Sequence, residues 1–592
     1  MADDAPLAAQ LSCLFARPGA YLPIIDGPRL TRPDRNAEVI RRNNAVSRAK
    51  SDQILLAGLS DDSYEAVANG FTARLRSKIK RVRTLSDAEA IQARRADDSP
   101  LVWGRDRIGV GLLKALYAHT SIVFRDEPSP TDCVQPKSNH LVVCADDNAL
   151  SQVIAANYAF ALRAGLFLIP GVADPVTDEL LERFYSLYDH GTGPADALDY
   201  LKTALRERCG EIPIPASGSL TFVTDGLPYG FAFSDVPSTH LFNYPDLGIA
   251  IINGFAAEQP KTRGINVAAL VTPSPDDAAE IDAAEKTLSE RGALVRVYKG
   301  RAANVRAFAE MVELLPFDLL ITATHCGDSS GYRWTYEFKD SEGIDRTLVV
   351  DIALGVQGTD DPEMLGVTQF MRFVSLDGVD WSDPAKAEKL YIGRAMIDFL
   401  DRVRTDSPNE LQPVRKEDVP RVLGSAALKM HDQNYICFAQ AVADHGTPII
   451  INNACSSWHR LASNFTFGGA RAYIGALFPI MSGEASDIVV RLLGKHFGKP
   501  LPVALWSAQR EVYGDNVRRP YVMTGVFPQR LRTSPRHVPR QLASQLSGAL
   551  TRWRKALPTV VPRPTDHRTK KIEENIRFYE RELAAVRKRW RL

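Results

Sequence analysis

Residues 448–460 read PIIINNACSSWHR, and residues 317–331 read FDLLITATHCGDSSG. Both have one shape. A short apolar run rich in β-branched residues, Pro448 to Ile451 or Leu319 to Ala323, breaks off into small polar residues. Such a run predicts a buried strand, and the polar residues predict its C-terminal loop. Open α/β sheets hold ligands outside the carboxyl ends of their strands. One strand delivers Cys455 to that edge and the other delivers His325, so the pair offers a thiol and an imidazole to one crevice. Strand alternation turns Cys326 away from the crevice if His325 points into it.

Strands and helices alternate through most of the rest of the chain. DQILLAGL, TSIVF, HLVVCAD and LFLIPGV are predicted strands between helical stretches such as ALSQVIAANYAFALRAG. After 216 the pattern resumes with GINVAALVTP, a helix in 276–292, ALVRVYKG and a helix in 303–316. Alternation at this spacing predicts βαβ units and a mostly parallel sheet flanked by helices. Residues 1–50 have little periodicity and are expected to be an irregular arm. CGEIPIPASGSL, 209–220, is rich in Pro, Gly and Ser and marks a boundary between an α/β domain at 51–215 and another at 216–530. SLTFVTDGLPYGFAFS is expected to be a hairpin around Asp225-Gly226.

An insertion is expected at about 332–425. Within it, YRWTYEF and RTLVVDIAL are predicted strands, YIGRAMIDFLDRVR a helix, and SPNELQPVRKEDVP a surface loop. Residues 426–444 are expected to be helical and to lead into the cysteine strand. A basic tail, 531–592, ends in a helix whose Ile572, Ile576, Tyr579, Leu583, Val586 and Trp590 form one apolar seam. That seam must bury itself against the chain's own body or a partner. Acids between its basic residues argue against a nucleic-acid arm.

Composition narrows the classes further. Of 592 residues 24% are charged and 45% hydrophobic, with a net charge of +1, as in an ordinary globular protein. Seven scattered cysteines without a CxxC pattern fit neither a disulfide framework nor a zinc ribbon. The stretch MADDAPLAAQL has no basic region and no long apolar core, so no signal peptide is expected, and no membrane span. A reducing cytoplasm is the expected setting, in which a thiol stays free. A GxxxxGK[ST] or GxGxxG phosphate loop is absent, and no cofactor or metal is expected. Gly327-Asp328-Ser329-Ser330-Gly331 fits the G-x-S-x-G pattern, but that elbow needs a helix directly after it, and YRWTYEF reads as a strand. A zinc set of His325, Cys326, Cys455 and His459 has suitable ligand types but an unsuitable backbone.

THCG after FDLLITA, and NNACSS after TPIII, resemble the histidine and cysteine blocks of clan CD, the caspase-like cysteine peptidases. The run from Gly468 to Tyr513 is similar to the C-terminal block of CHAT domains, and the resemblance covers roughly 216–528. It implies a caspase-like fold, with the 51–215 domain as a candidate inactive protease-like relative. It implies that Cys455 is the nucleophile and His325 the acid/base of a peptide-bond hydrolase, with backbone N–H groups of Gly327 and Cys455 holding the oxyanion. Asp328, Asn453, Glu484 and Asp487 are candidate substrate-pocket residues. The implied partner is a protein substrate cut in regulated proteolysis, including antiphage defence, where a pore-forming effector is one expected target. The alternative is a protease-like scaffold without activity. Two positions depart from the family pattern. Cys326 stands directly after the histidine where Gly is usual, and Asn453 stands where members that cut after Arg or Lys often carry Asp.

Overall fold

The computed structural model describes residues 4–27, 35–92, 99–172, 174–187, 194–243, 247–258, 264–274, 278–358, 365–380, 383, 395, 398–399, 402, 411–436, 441–514, 518–534, 537–557 and 567–592. Its centre is an eleven-stranded sheet. In chain order the strands are β1 (Cys133–Val134), β2 (His140–Ala145), β3 (Gly165–Ile169), β4 (Ser219–Thr224), β5 (Ser238–Phe242), β6 (Val267–Thr272), β7 (Leu294–Lys299), β8 (Leu319–Thr322), β9 (Ile449–Asn452), β10 (Ala472–Ala476) and β11 (Tyr521–Gly525). Their spatial order is β7-β6-β8-β9-β10-β11-β5-β4-β2-β3-β1. All neighbours are parallel except β10 with β11 and β3 with β1. The chain is therefore an α/β protein with a large, mostly parallel sheet flanked by helices.

The central strands explain their own sequences. β8 and β9 are buried at every position, because helices cover both faces. Strands of that kind read as unbroken apolar runs rather than as alternation. The boundary expected at 209–220 does not interrupt the sheet: β4, just after it, pairs with β2, well before it. The strands of β1 to β5 join those of β6 to β11 where β5 pairs with β11, through His240 and Thr524.

Four expectations fail. Residues 219–234 are no hairpin. β4 runs parallel to β5, with a short helix at Tyr229–Ala232 between them, because the buried Phe and Tyr side chains pack inward instead of pairing across a turn. The supposed N-terminal arm contains helices Ala5–Phe15 and Arg35–Ala49. The first starts where Asp4 accepts from the Leu7 N–H, with Pro6 in its first turn, and it buries Leu7, Ala8 and Leu11. Part of the expected loop before 420 is a strand, Arg415–Val419. Residues 427–436 form two short strands, Ala427–Lys429 and Asn434–Ile436, instead of a helix. Tertiary pairing with Cys326–Gly327 overrides the helical pattern there. The helix expected at 391–404 lies almost wholly outside the described residues.

The insertion forms a five-stranded antiparallel sheet in the order Val379–Asp380, Leu365–Leu376, Asp345–Gly358, Gly331–Lys339, Arg415–Val419. Among the helices, α1 (Asp174–Tyr185), α2 (Ala278–Glu290), α3 (Val305–Leu314), α4 (Ser482–Leu493), α5 (Leu501–Tyr513), α6 (Val538–Ala556) and α7 (His567–Trp590) bear on the site. The seam of α7 packs on this chain's own body, against α6 and α3. Ile572, Tyr579, Leu583 and Val586 are buried, with Ile576 and Trp590 partly so. No helix among the described residues is long and apolar enough to cross a membrane.

Two buried histidines brace the block containing β2, β4 and β5. His240 donates from Nδ1 to the Met523 carbonyl at 3.1 Å and accepts from the Gly230 N–H at Nε2, 3.1 Å away, so its partners fix a neutral tautomer. His140 lies between Ser219 and Thr221. Burial pushes His140 down to about 3. Burial pushes His240 down to about 4, against the Met523 bond, which raises it. Folding thus favours the neutral rings. Their stabilisation is complete above the ordinary histidine pKa and is lost as pH falls from there toward the folded values. The loss should be about 1.4 kcal/mol per pH unit for each ring. The urea midpoint should drop between pH 7 and 5, and His240→Gln should flatten that slope. An equal slope in the variant would remove His240 from the account.

Candidate active site

β8 and β9 are neighbours in parallel register, with Thr322 opposite Asn452 although they are 130 residues apart in sequence. The ladder runs one step further, the Asn453 N–H donating to the Thr322 carbonyl at 2.8 Å. His325 follows Thr322 by the same count as Cys455 follows Asn452, so both leave the same edge of the sheet side by side. His325 is exposed and Cys455 half-buried. The His325 imidazole has no hydrogen-bond partner among the described residues, so no carboxylate orients it and the arrangement is a dyad. His325 does accept a backbone bond from the Lys429 N–H at 2.9 Å, and Thr324 donates from its hydroxyl to the Lys429 carbonyl.

The cysteine loop is held from below by a buried polar network. Asn452 Oδ1 accepts from the Thr322 hydroxyl at 2.8 Å and from the Ala454 N–H at 3.2 Å, while its Nδ2 donates to the Tyr473 hydroxyl at 2.9 Å. Tyr473 donates to the Ser457 carbonyl at 2.6 Å, and the Ser457 hydroxyl donates to the Asn452 carbonyl at 3.1 Å. Ser456, directly after the cysteine, is in the left-handed region at φ 47°, which gives the sharp turn that presents the thiol. A Cβ on Gly475 would meet the Ser457 carbonyl carbon and oxygen at 3.0 Å, so that position has no room for a side chain beneath the loop. The Ile480 N–H donates to Cys455 Sγ at 3.4 Å, just ahead of the N-terminus of α4. The backbone N–H groups of Cys455 and Ser456 make no hydrogen bond among the described residues, which leaves them open to an oxyanion.

Asn452, Tyr473 and Ser457 went unassigned in the sequence. The visible signal was the Asn-Asn pair at a strand end, and Tyr473 gave none, since an aromatic in a strand reads as core. Tyr473→Phe deletes one hydroxyl and strands two buried groups, Asn452 Nδ2 and the Ser457 carbonyl. It should cost about 1–3 kcal/mol and slow alkylation of Cys455 by iodoacetamide. An unchanged urea midpoint together with unchanged alkylation would show that the network does not support the loop.

Other expected site residues land differently. Gly327 pairs with Ala427 in a short antiparallel ladder that already contains the Lys429-to-His325 bond. The alternation of such ladders assigns the Gly327 N–H to the Ala427 carbonyl, so it is spent there rather than aimed at the cleft. Asn453 is buried and fully engaged. Its Nδ2 donates to Glu280 and to the Ala485 carbonyl, and its Oδ1 accepts from the Tyr521 hydroxyl at 2.7 Å. It ties the loop to α2, α4 and β11 and does not line a pocket. Glu484 is paired with Arg518 at 2.6 Å and accepts from the Met481 N–H at the start of α4. Asp487 is on an exposed face of α4, beside Arg491. Asp328 is close to the dyad, but its carboxylate is held by Arg421 at 2.9 Å and by the Ala426 N–H at 3.1 Å. Arg421 also pairs with Glu182 of α1, so the 51–215 block supplies one wall of this region.

The alternation expected to orient Cys326 does not reach it, because β8 ends at Thr322 and Cys326 begins a strand of a different sheet. The Cys326 thiol is half-buried and pushed well up, first by burial and then by the nearby Asp328 carboxylate and Cys455 sulfur. His459 faces Gly226 and the Phe242 ring, and among the described residues no three His, Cys, Asp or Glu side chains converge as a metal set. No protein-family model and no curated protein matches this chain.

Proposed function

We propose that the chain is a caspase-like cysteine endopeptidase of the CHAT type, working through a Cys455–His325 dyad on a protein substrate. The observation that carries this reading is the β8/β9 register, which brings a thiol and an imidazole to equivalent positions on one sheet edge. In the reaction the Cys455 sulfur attacks a peptide carbonyl, and the thiol proton passes to His325. His325 returns that proton to the departing amine as the C–N bond breaks. Water, deprotonated by His325, then attacks the thioester and releases the sulfur. The developing oxyanion is served by the N–H groups of Cys455 and Ser456, since Gly327 has spent its own. By the same resemblance the setting is regulated proteolysis in the cytoplasm, antiphage defence included, with a pore-forming protein as one candidate target.

A non-catalytic, protease-like scaffold is the competing reading. The committed Gly327 N–H and the unoriented His325 ring favour it. A proteome-derived peptide library separates the two. Incubated with the wild-type chain it should gain new N-termini that are absent with Cys455→Ala. Identical N-termini from both proteins would refute the peptidase reading.

A further inference from the structure

We propose that the N-terminal part of the chain binds a small amphipathic anion of the fatty-carboxylate class, apolar chain inward, in two adjoining cavities that share Arg17. The first cavity, of about 420 Å³, is walled by the helices Ala5–Phe15 and Arg35–Ala49, the strand Ile54–Ala57 and the helix Leu247–Glu258. That volume lies within the roughly 300–1,000 Å³ of small-molecule pockets. Leu11, Ile24, Ile25, Val46, Ile54 and Ile252 line it and are buried. The buried hydroxyl of Ser12, also in the lining, is already committed. It donates to the Ala8 carbonyl at 2.8 Å and accepts from Asn157 Nδ2 at 2.9 Å. The depth of the cavity therefore offers nothing to a polar group and suits a methylene chain. Packed interiors hold few voids larger than a water molecule, so apolar space on this scale is out of the ordinary for a chain that only has to fold.

Charge decides the head group. A second cavity, of about 310 Å³, adjoins the first, with Phe15, Arg17 and Gln92 in both linings. Its polar lining is Arg17, Gln92, His119, Thr120 and Ser121, with no carboxylate among the described residues. Arg17 is exposed, and its guanidinium has no hydrogen bond or ion pair among the described residues. Gln92 is fixed beside it, donating from Nε2 to the Leu14 carbonyl at 2.7 Å. Asp52 lines the first cavity and not the second, so it repels an anion from the first mouth and leaves Arg17 as the place for one. A carboxylate set on Arg17 can accept two parallel N–H bonds, with its chain passing Phe15 into the apolar cavity. An occupied site ties together stretches that are far apart in the sequence, from Leu11 to Ile252.

Dodecanoate is the probe, titrated by calorimetry into the full chain below its micelle-forming concentration. It should saturate one site per chain and raise the melting temperature as its concentration grows. Decanoate, two methylenes shorter, should bind about tenfold more weakly. Arg17→Gln should weaken dodecanoate about 10- to 100-fold. Ala49→Phe and Leu22→Trp add bulk at half-buried positions of the cavity wall. Each, checked for native circular dichroism, should abolish binding. A dodecanoate with a diazirine at its far end, photolysed on the wild-type chain and mapped by mass spectrometry, should label peptides within 5–25 or 46–57. The proposal is overturned if dodecanoate does not saturate, if hexanoate binds as tightly, if Arg17→Gln changes nothing, or if the label falls elsewhere. A dimer that forms through this face and excludes the acid would give the cavity to a second copy and overturn it as well. None of these readouts involves Cys455 or peptide cleavage, so the peptidase reading stands or falls separately.

Discussion

Cys455→Ala and His325→Ala are each expected to lower peptide-bond cleavage on the order of 10⁴- to 10⁶-fold while leaving the circular dichroism spectrum unchanged. The size follows from how dyad members act. The thiol without a base and the base without a thiol are each close to inert, so losing one costs nearly as much as losing both. The double variant should therefore be no slower than the slower single variant. Preservation of the fold follows from placement. His325 is exposed beyond the end of β8, and Cys455 sits half-buried in a turn whose support comes from Asn452, Tyr473 and Ser457. The measurement is the rate of appearance of new N-termini from the peptide library. Wild-type rates in either single variant would refute the dyad. Multiplied losses in the double variant would show two independent contributions.

Leu583→Asp is expected to have the largest effect on stability, about 3–5 kcal/mol, the cost of leaving an unpaired charge in a buried site. Leu583 is 6% exposed in the seam between α7, α6 and α3. The charges around it are already committed. Arg296 pairs with Glu582, Arg581 with Glu310, and Arg554 with Glu580. Tyr579 adds a hydrogen bond to Asp444, which Arg552 also holds at 2.7 Å. An aspartate at 583 would therefore have to compete with those acids for cations already paired. The urea midpoint should fall, while iodoacetamide still labels Cys455 in the native chain below that midpoint. An unchanged midpoint would mean that α7 contributes nothing to the stability of the body it covers.

Much of the sheet was legible because buried parallel strands advertise themselves as apolar runs, and TPIIIN and FDLLITA are such runs. What the runs could not give was which strands lie side by side. Register is a property of the sheet, and nothing in either segment names the other. The continuity of the sheet past 209–220 was hidden for a related reason: Pro, Gly and Ser mark a loop equally well within a domain and between domains. Local pattern misled wherever tertiary pairing chose otherwise, as at 427–436, where partners supplied by Cys326–Gly327 made strands of a helical-looking segment. Of the site, His325 and Cys455 could be read from their positions at strand ends. The engagement of Asn453, Glu484 and Asp328 could not, because their partners Tyr521, Arg518 and Arg421 come from distant parts of the chain.

The five-stranded insertion leaves the body at Gly331 and returns at Val419, and those two residues are paired with one another. Just inside them, the Val422 N–H donates to the Ser329 carbonyl at 2.8 Å, and the Ser425 hydroxyl accepts from the Ser329 N–H at 2.7 Å. The excursion thus starts and ends at one doorway, and the strands that carry His325 and Cys455 are held together without it. In an evolutionary lineage such a segment behaves as a cassette. It can lengthen, shrink or be exchanged by a single recombination event while the sheet beside it keeps its register, so descendants of one ancestor can acquire new surfaces without disturbing the body that carries them.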